Sequence, residues 1–251
     1  VIDNLSTGKK ENLKGILKKI RFIYGDINNP KDLNKAFKNV DYVLHQAAIP
    51  SVARSLLAPT ATHIANTDGI INLLELAKKF QIKKIVFASS SSVYGETPTL
   101  PKKEIHPPDP ISIYALTKFY GERLCMLYYK FYKLPVVMLR YFNVFGPHQN
   151  PKTEYAAVIP KFIYSALKGN KPVIYGDGTQ TRDFTYVENV VKANLLAAFS
   201  SRGNGEVINI ACGKNYSVNT LWETIKKITG VNITPIYAPV SYTHLTLPTK
   251  A

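Results

Sequence analysis

Cysteine, methionine and tryptophan are scarce in this chain: two, two and one among 251 residues. Cys125 and Cys212 lie far apart without metal-like spacing, which argues against a disulfide framework and against zinc; no metal is expected. No apolar run is long enough to span a bilayer, and no signal-peptide pattern is present. The expectation is a soluble, cytoplasmic protein with no membrane partner. There is no internal repeat and no low-complexity tract. Acidic residues are also few, 17 against 32 lysines and arginines, for a formal net charge of +15. Such a balance attracts polyanions. The lysines, however, fall singly or in pairs (Lys9-Lys10, Lys18-Lys19, Lys83-Lys84, Lys102-Lys103, Lys226-Lys227), the pattern of solvated faces. No nucleic-acid partner is expected, whereas a small anionic substrate would gain from the same field.

The chain is long enough, and at 45% hydrophobic apolar enough, to bury a large core as a major domain with a smaller lobe. Short β-branched or apolar runs predict strands at Arg21–Tyr24, Asp41–Ala47, Lys83–Ser89, Pro135–Tyr141 and Val207–Ala211. Helical patterns fall between them, most clearly at Asn66–Phe80 and Tyr114–Tyr132; Asn66, Thr67 or Asp68 would cap the first. Alternation of this kind predicts an α/β fold with a doubly wound parallel sheet.

The chemistry concentrates at Tyr114 and Lys118, four residues apart and so on one helix face. A free tyrosine ionises near pH ~10 and is a poor base at neutrality. A fixed cation beside it is expected to bring the phenol toward the working range. A serine from the upstream run Ser89-Ser90-Ser91-Ser92, at a strand end, would bond the same substrate oxygen. Taken alone, the spacing better describes an exposed Tyr and Lys on a helix. At the start, Val1-Ile2-Asp3-Asn4 reads as a strand end followed by an acid. In dinucleotide folds such an acid holds the adenosine ribose about 20 residues after a glycine-rich loop. No such loop precedes it here.

Seven stretches occur in a telling order: VIDNLSTG at Val1–Gly8, Gly25-Asp26-Ile27, His45-Gln46-Ala47-Ala48, SSSSVYG at Ser89–Gly95, Tyr114–Lys118, LRYFNVFG at Leu139–Gly146, and YGDGTQTRDFTYV at Tyr175–Val187. Together they resemble the extended short-chain dehydrogenase/reductase family, and within it the NAD-dependent UDP-sugar 4-epimerases, over about residues 1 to 239. Ala156–Lys161, with the stretch before it, is similar to epimerases that accept UDP-N-acetylglucosamine as well as UDP-glucose. The resemblance implies NAD as a tightly held cofactor and a UDP-sugar as substrate. It implies Asp3 and Asn4 at the adenosine ribose, Asp26 and Ile27 at the adenine, and Ala47 and Ala48 where a strand end nears the dinucleotide. Alone, those alanines would also suit a core. Asn66 either bonds the cofactor or caps its helix, Lys118 contacts the nicotinamide ribose as well as Tyr114, and Tyr141 flanks the cofactor. The catalytic serine falls on Ser90, with Ser91 as the alternative. For the substrate, Ser51 and Ser91 would meet the sugar, Asn143 the diphosphate or sugar, Val158 and Tyr175 the uracil. Arg182 would meet the diphosphate, or else pair with the adjacent Asp183 or another acid. Related dehydratases carry an Asp-Glu pair beside the catalytic hydroxyl; the matching place here reads Ser-Ser-Val, so elimination lacks its acid and base.

The resemblance further implies residues 1–145 and 183–213 as the dinucleotide domain, 146–182 and 214–239 as the substrate lobe, and a homodimer built as a four-helix bundle. Residues 240–251 form an atypical tail. The first strand and glycine loop are missing from the pattern, so the chain is expected to be a truncated epimerase with weak or no turnover; rates of ~1 s⁻¹ or faster would refute that. The alternatives are a UDP-glucuronate epimerase or decarboxylase of the same family, or a non-catalytic nucleotide-binding regulator.

Overall fold

The computed structural model describes residues 1–152 and 156–239; the expected atypical tail, 240–251, lies outside them. In chain order the elements are β1 (Ile2–Asp3), β2 (Ile23–Tyr24), α1 (Pro30–Ala36), β3 (Tyr42–His45), α2 (Val52–Leu57), α3 (Pro59–Lys79), β4 (Lys84–Ser90), α4 (Ile113–Tyr132) and β5 (Val136–Tyr141). There follow β6 (Val144–Phe145), α5 (Val158–Lys168), β7 (Val173–Tyr175), β8 (Thr181–Arg182), β9 (Thr185–Tyr186), α6 (Val187–Phe199), β10 (Val207–Ile210), β11 (Tyr216–Ser217), α7 (Val218–Thr229) and β12 (Ile236–Ala238). Two compact units result. The first holds Val1–Tyr141 and Val191–Ile210, the second Phe142–Val190 and the described residues from Ala211 on. The breaks fall at Tyr141/Phe142, Val190/Val191 and Ile210/Ala211, where the expected division was at 145/146, 182/183 and 213/214.

In the first unit a parallel sheet runs in the order β10-β5-β4-β3, while β1 pairs in parallel with β2 alone. The central strands are apolar on both faces, as parallel strands must be when helices cover both sides. Ile85, Phe87, Val136 and Met138 pack with Ile70, Leu73, Leu74 and Ala77 of α3 and Cys125 of α4. The alternate residues Val86, Val137 and Leu139 pack against Ala198 on the other side. This period-two division makes the sheet doubly wound. Each fully buried aliphatic side chain contributes roughly 1.5–3 kcal/mol, so these layers hold the strand ends that the site uses.

Helix α3 begins at Pro59, well before the expected Asn66. Proline at the first turn loses no intrahelical bond, and the polar Thr62, Asn66 and Thr67 that obscured the pattern are buried. Asn66 is therefore inside the helix, and the reading of Asn66, Thr67 or Asp68 as its cap is corrected. Helix α4 is capped by Ser112, whose Oγ accepts from Ala115 N at 3.1 Å, and it closes on Lys133 in the left-handed region, φ 55°. Gly121 brings α4 close to β4: a Cβ there would stand 2.4 Å from Phe87 Cζ.

In the second unit α5 and α7 pack around Phe162 and Trp222, whose rings meet edge-on at 5.6 Å. Trp222 Nε1 donates to the Ile233 carbonyl at 3.2 Å, so the largest buried side chain here leaves no polar atom stranded. Three two-stranded pairings, β6 with β9, β7 with β12 and β8 with β11, complete it. No described helix is long and apolar enough to cross a membrane.

Candidate active site

The buried run of β4 ends at Ser90, where the chain turns into a single 3-10 turn at Ser91–Tyr94. Ser90 Oγ caps that turn, accepting from Ser92 N at 3.2 Å and from Ser92 Oγ at 2.9 Å. Tyr114 sits in the first turn of α4, its N–H donating to Ser55 Oγ at 3.1 Å. Its hydroxyl is hydrogen-bonded to Ser90, one of the two candidate serines. One turn on, Lys118 is 5% exposed; its ammonium donates to the Ala88 carbonyl at 2.8 Å and lies 5.9 Å from the Tyr114 ring centroid.

Burial dominates the electrostatics of this group. It raises the Tyr114 phenol above its ordinary value, and the Ser90 hydrogen bond only partly offsets that. Burial also lowers Lys118 to about 8. The expectation that Lys118 draws the phenol downward is therefore corrected: desolvation outweighs it, and the ammonium is committed to a backbone carbonyl. His45, at the end of β3, is buried and lowered to about 3, first by desolvation and then by the Lys118 charge.

A cavity of about 560 Å³ opens at the β1 and β3 ends of the first unit. Asp3, Asn4, Asp26, Ile27, Ala47 and Ala48 all line it. Asn4 Nδ2 donates to Asp26 Oδ2 at 2.8 Å, Asp26 Oδ1 accepts from Asn28 N at 2.8 Å, and Asp3 Oδ1 accepts from Leu5 N at 2.7 Å. In the second unit a separate cavity of about 320 Å³ is lined by Asn143, Val158, Tyr175 and Arg182, with Phe145, Phe162 and Phe184.

The pattern of the NAD dependent epimerase/dehydratase family matches residues 1–211. That span is most of the chain. The chain belongs to this family. It is 45% identical over 240 residues to a putative UDP-glucose 4-epimerase of Methanocaldococcus jannaschii, covering 94% of this chain and 76% of that protein. Among solved structures it is similar to a UDP-N-acetylglucosamine 4-epimerase from Methanobrevibacter ruminantium in complex with UDP-N-acetylmuramic acid. There the TM-score is 0.91 at 44% identity, over 95% of this chain and 76% of the other. It is likewise similar to a UDP-glucose 4-epimerase with UDP-glucose from Thermotoga maritima, with TM-score 0.91 and 37% identity over 98% and 79%.

The first cavity fits the family's cofactor at its adenosine end. Asp3 and Asp26 keep free acceptor capacity beyond one or two bonds each, as hydroxyl and amino donors require. Gly8 lies so close to Asp3 that a Cβ there would be 3.3 Å from its Oδ2. Ala47 and Ala48 leave room beside the strand end. Four expected cofactor residues, Asn66, Tyr114, Lys118 and Tyr141, are not among the lining. Asn66 is committed to Ile49, through its N–H at 2.7 Å and its carbonyl at 3.2 Å, and to Thr117 Oγ1 at 3.1 Å. The Tyr141 hydroxyl is held between Gln46 and Asn194.

Arg182 is exposed and donates Nη1 to the Thr181 carbonyl at 2.8 Å. Asp183, the alternative partner, instead accepts from Cys212 N at 2.9 Å and Gly213 N at 2.6 Å. Asp183 is thus held by two backbone amides. Ser51 and Ser91 belong to the first unit; Ser51 Oγ caps α2, accepting from Arg54 N at 3.3 Å. Sequence reasoning missed Gln46 and Asn194 at Tyr141, and Glu122 and Arg140 behind Ser90. The i, i+4, i+8 spacing of Tyr114, Lys118 and Glu122 was the available signal for Glu122.

Proposed function

We propose that the chain is an NAD-dependent epimerase, a cytoplasmic isomerase that inverts C4 of a UDP-hexose, plain or N-acetylated, through a 4-keto intermediate. The observation that supports this best is the Ser90–Tyr114–Lys118 group: a hydroxyl pair on one strand-to-helix junction, with a buried ammonium one turn away. The chemistry that NAD would supply when bound is reversible hydride acceptance from the sugar carbon whose hydroxyl Tyr114 deprotonates. Tyr114, as phenolate, takes the proton of the 4-hydroxyl, and Ser90 bonds the same oxygen. When the ring has turned, Tyr114 gives the proton back. Lys118, charged below about 8, would contact the nicotinamide ribose beside Tyr114. Asp3, Asn4, Asp26 and Ile27 would hold the adenosine, with Ala47 and Ala48 allowing close approach.

In the second unit Val158 and Tyr175 would line the uracil, while Asn143 and Arg182 would take the diphosphate that anchors the sugar as it turns. Ser51 and Ser91 would meet sugar hydroxyls. Dehydration is disfavoured because Ser91-Ser92-Val93 supply no carboxylate. Glu122, buried beside Ser89, is locked in a fork with Arg140 and cannot serve as one. Assembly as a homodimer is part of the same reading: Ile64 and Ile71 on α3, and Leu116, Tyr120, Leu127 and Phe131 on α4, form exposed apolar stripes. Assaying UDP-glucose, UDP-N-acetylglucosamine and UDP-glucuronate side by side tests the substrate. Interconversion confined to the first two supports the reading, and preference for the glucuronate overturns it.

A further inference from the structure

We propose that the buried ion pair Glu122–Arg140, acting with Ser89, is a positioning device that sets Ser90 against Tyr114. The inference rests on the reading of Ser90 and Tyr114 as the proton-handling pair. Glu122 lies on α4 one turn beyond Lys118 and two beyond Tyr114, on their face of the helix. Ser89 directly precedes Ser90 on β4, and Arg140 stands opposite Ser89 on β5. One carboxylate gathers them all. Glu122 Oε1 accepts from Ser89 Oγ at 2.5 Å and from Arg140 Nε at 2.8 Å, and Oε2 accepts from Arg140 Nη2 at 2.7 Å. The guanidinium stacks 4.5 Å from the centroid of Tyr94, the last residue of the turn that Ser90 opens. Tyr94 in turn donates to Asn209 Oδ1 on β10 at 2.7 Å.

Stability alone does not account for this arrangement. The two side chains are 3% and 1% exposed, and removing both charges from water costs several kcal/mol per ion, so well-packed apolar residues would hold the same elements at least as firmly. What a bidentate fork adds is fixed distance and direction. Here those are imposed one residue from Ser90 and on the helix that carries Tyr114. A displacement of ~1 Å would break the Ser90–Tyr114 hydrogen bond.

The titratable groups along this face are Lys118, one turn from Tyr114 on its own helix, His45 on β3, which feels the Lys118 charge, and Glu122, a further turn along α4. The test follows the phenol of Tyr114 by NMR in protein labelled at tyrosine Cζ, the resonance assigned by its loss in Tyr114→Phe. Two variants are compared with wild type: Ser89→Ala, and the pair Glu122→Leu with Arg140→Met. The proposal expects the paired variant to keep its urea midpoint, while Tyr114 titrates at higher pH in both variants because the Ser90 bond is loosened. It expects kcat on the UDP-sugar to fall about ten- to a hundredfold with KM little changed. A folded pair with the titration and kcat of wild type would overturn it. Should the pair not fold, Ser89→Ala decides by the same two readouts. A Ser90→Ala control that leaves the titration in place would sink the underlying reading of Ser90 and Tyr114 instead.

Discussion

A tyrosine, a lysine and a histidine within one buried neighbourhood each depart from ordinary ionisation, and the direction of each follows from desolvation. His45 gives the cleanest consequence. Its folded value of about 3 lies below the ordinary 6.5, so the unfolded chain binds the extra proton between those values. Stability contributed by the neutral ring is complete above pH ~6.5 and is lost as pH falls toward 3. Urea unfolding at pH 7 and pH 5 should differ by about 2 kcal/mol from this residue, and His45→Leu should remove that part of the difference. An unchanged pH dependence in the variant would contradict the assignment. Tyr114 and Lys118 were legible as a spacing. Their environment was not, because burial is a tertiary property, and the phenol consequently moves opposite to the expectation drawn from the pair alone. Asp3, Asp26 and the alanines were legible through motif order, and one cavity gathers them.

At the scale of elements, α4 is the part on which the site depends. Two features place it: the Ser112 cap, and Gly121 against Phe87. Ser112→Ala should cost about 1 kcal/mol, readable as a lower urea midpoint. Gly121→Ala gains roughly 1 kcal/mol of helix propensity. Overpacking against the ring costs typically 1–3 kcal/mol, so the net expectation is a destabilised protein with reduced turnover. A stabilised, fully active Gly121→Ala would show that α4 has slack against β4. The apolar strands were readable from composition, since β4 and β5 are buried on both faces. The start of α3 was not, because Thr62, Asn66 and Thr67 are polar side chains turned inward, and their hydrogen bonds do not register in a hydrophobic pattern. The short pairings β6–β9 and β8–β11 escaped for a related reason: two-residue strands have no periodicity to read.

For the whole molecule, the doubly wound sheet follows from strand–helix alternation, and the family follows from ordered motifs. The contents of the second unit's cavity were legible only in part, because Phe145, Phe162 and Phe184 read as ordinary core. The exposed stripes on α3 and α4 predict self-association. Ile71→Glu with Leu127→Glu should halve the sedimenting mass if they form the dimer face, and a wild-type monomer would end that reading. The central claim is the proton transfer at Tyr114, and one measurement addresses it most directly: conversion of UDP-galactose to UDP-glucose by the chain supplied with NAD, beside Tyr114→Phe. The account predicts conversion that falls 10²–10⁴-fold (roughly) in the variant. Conversion at equal rates in the two proteins would contradict it.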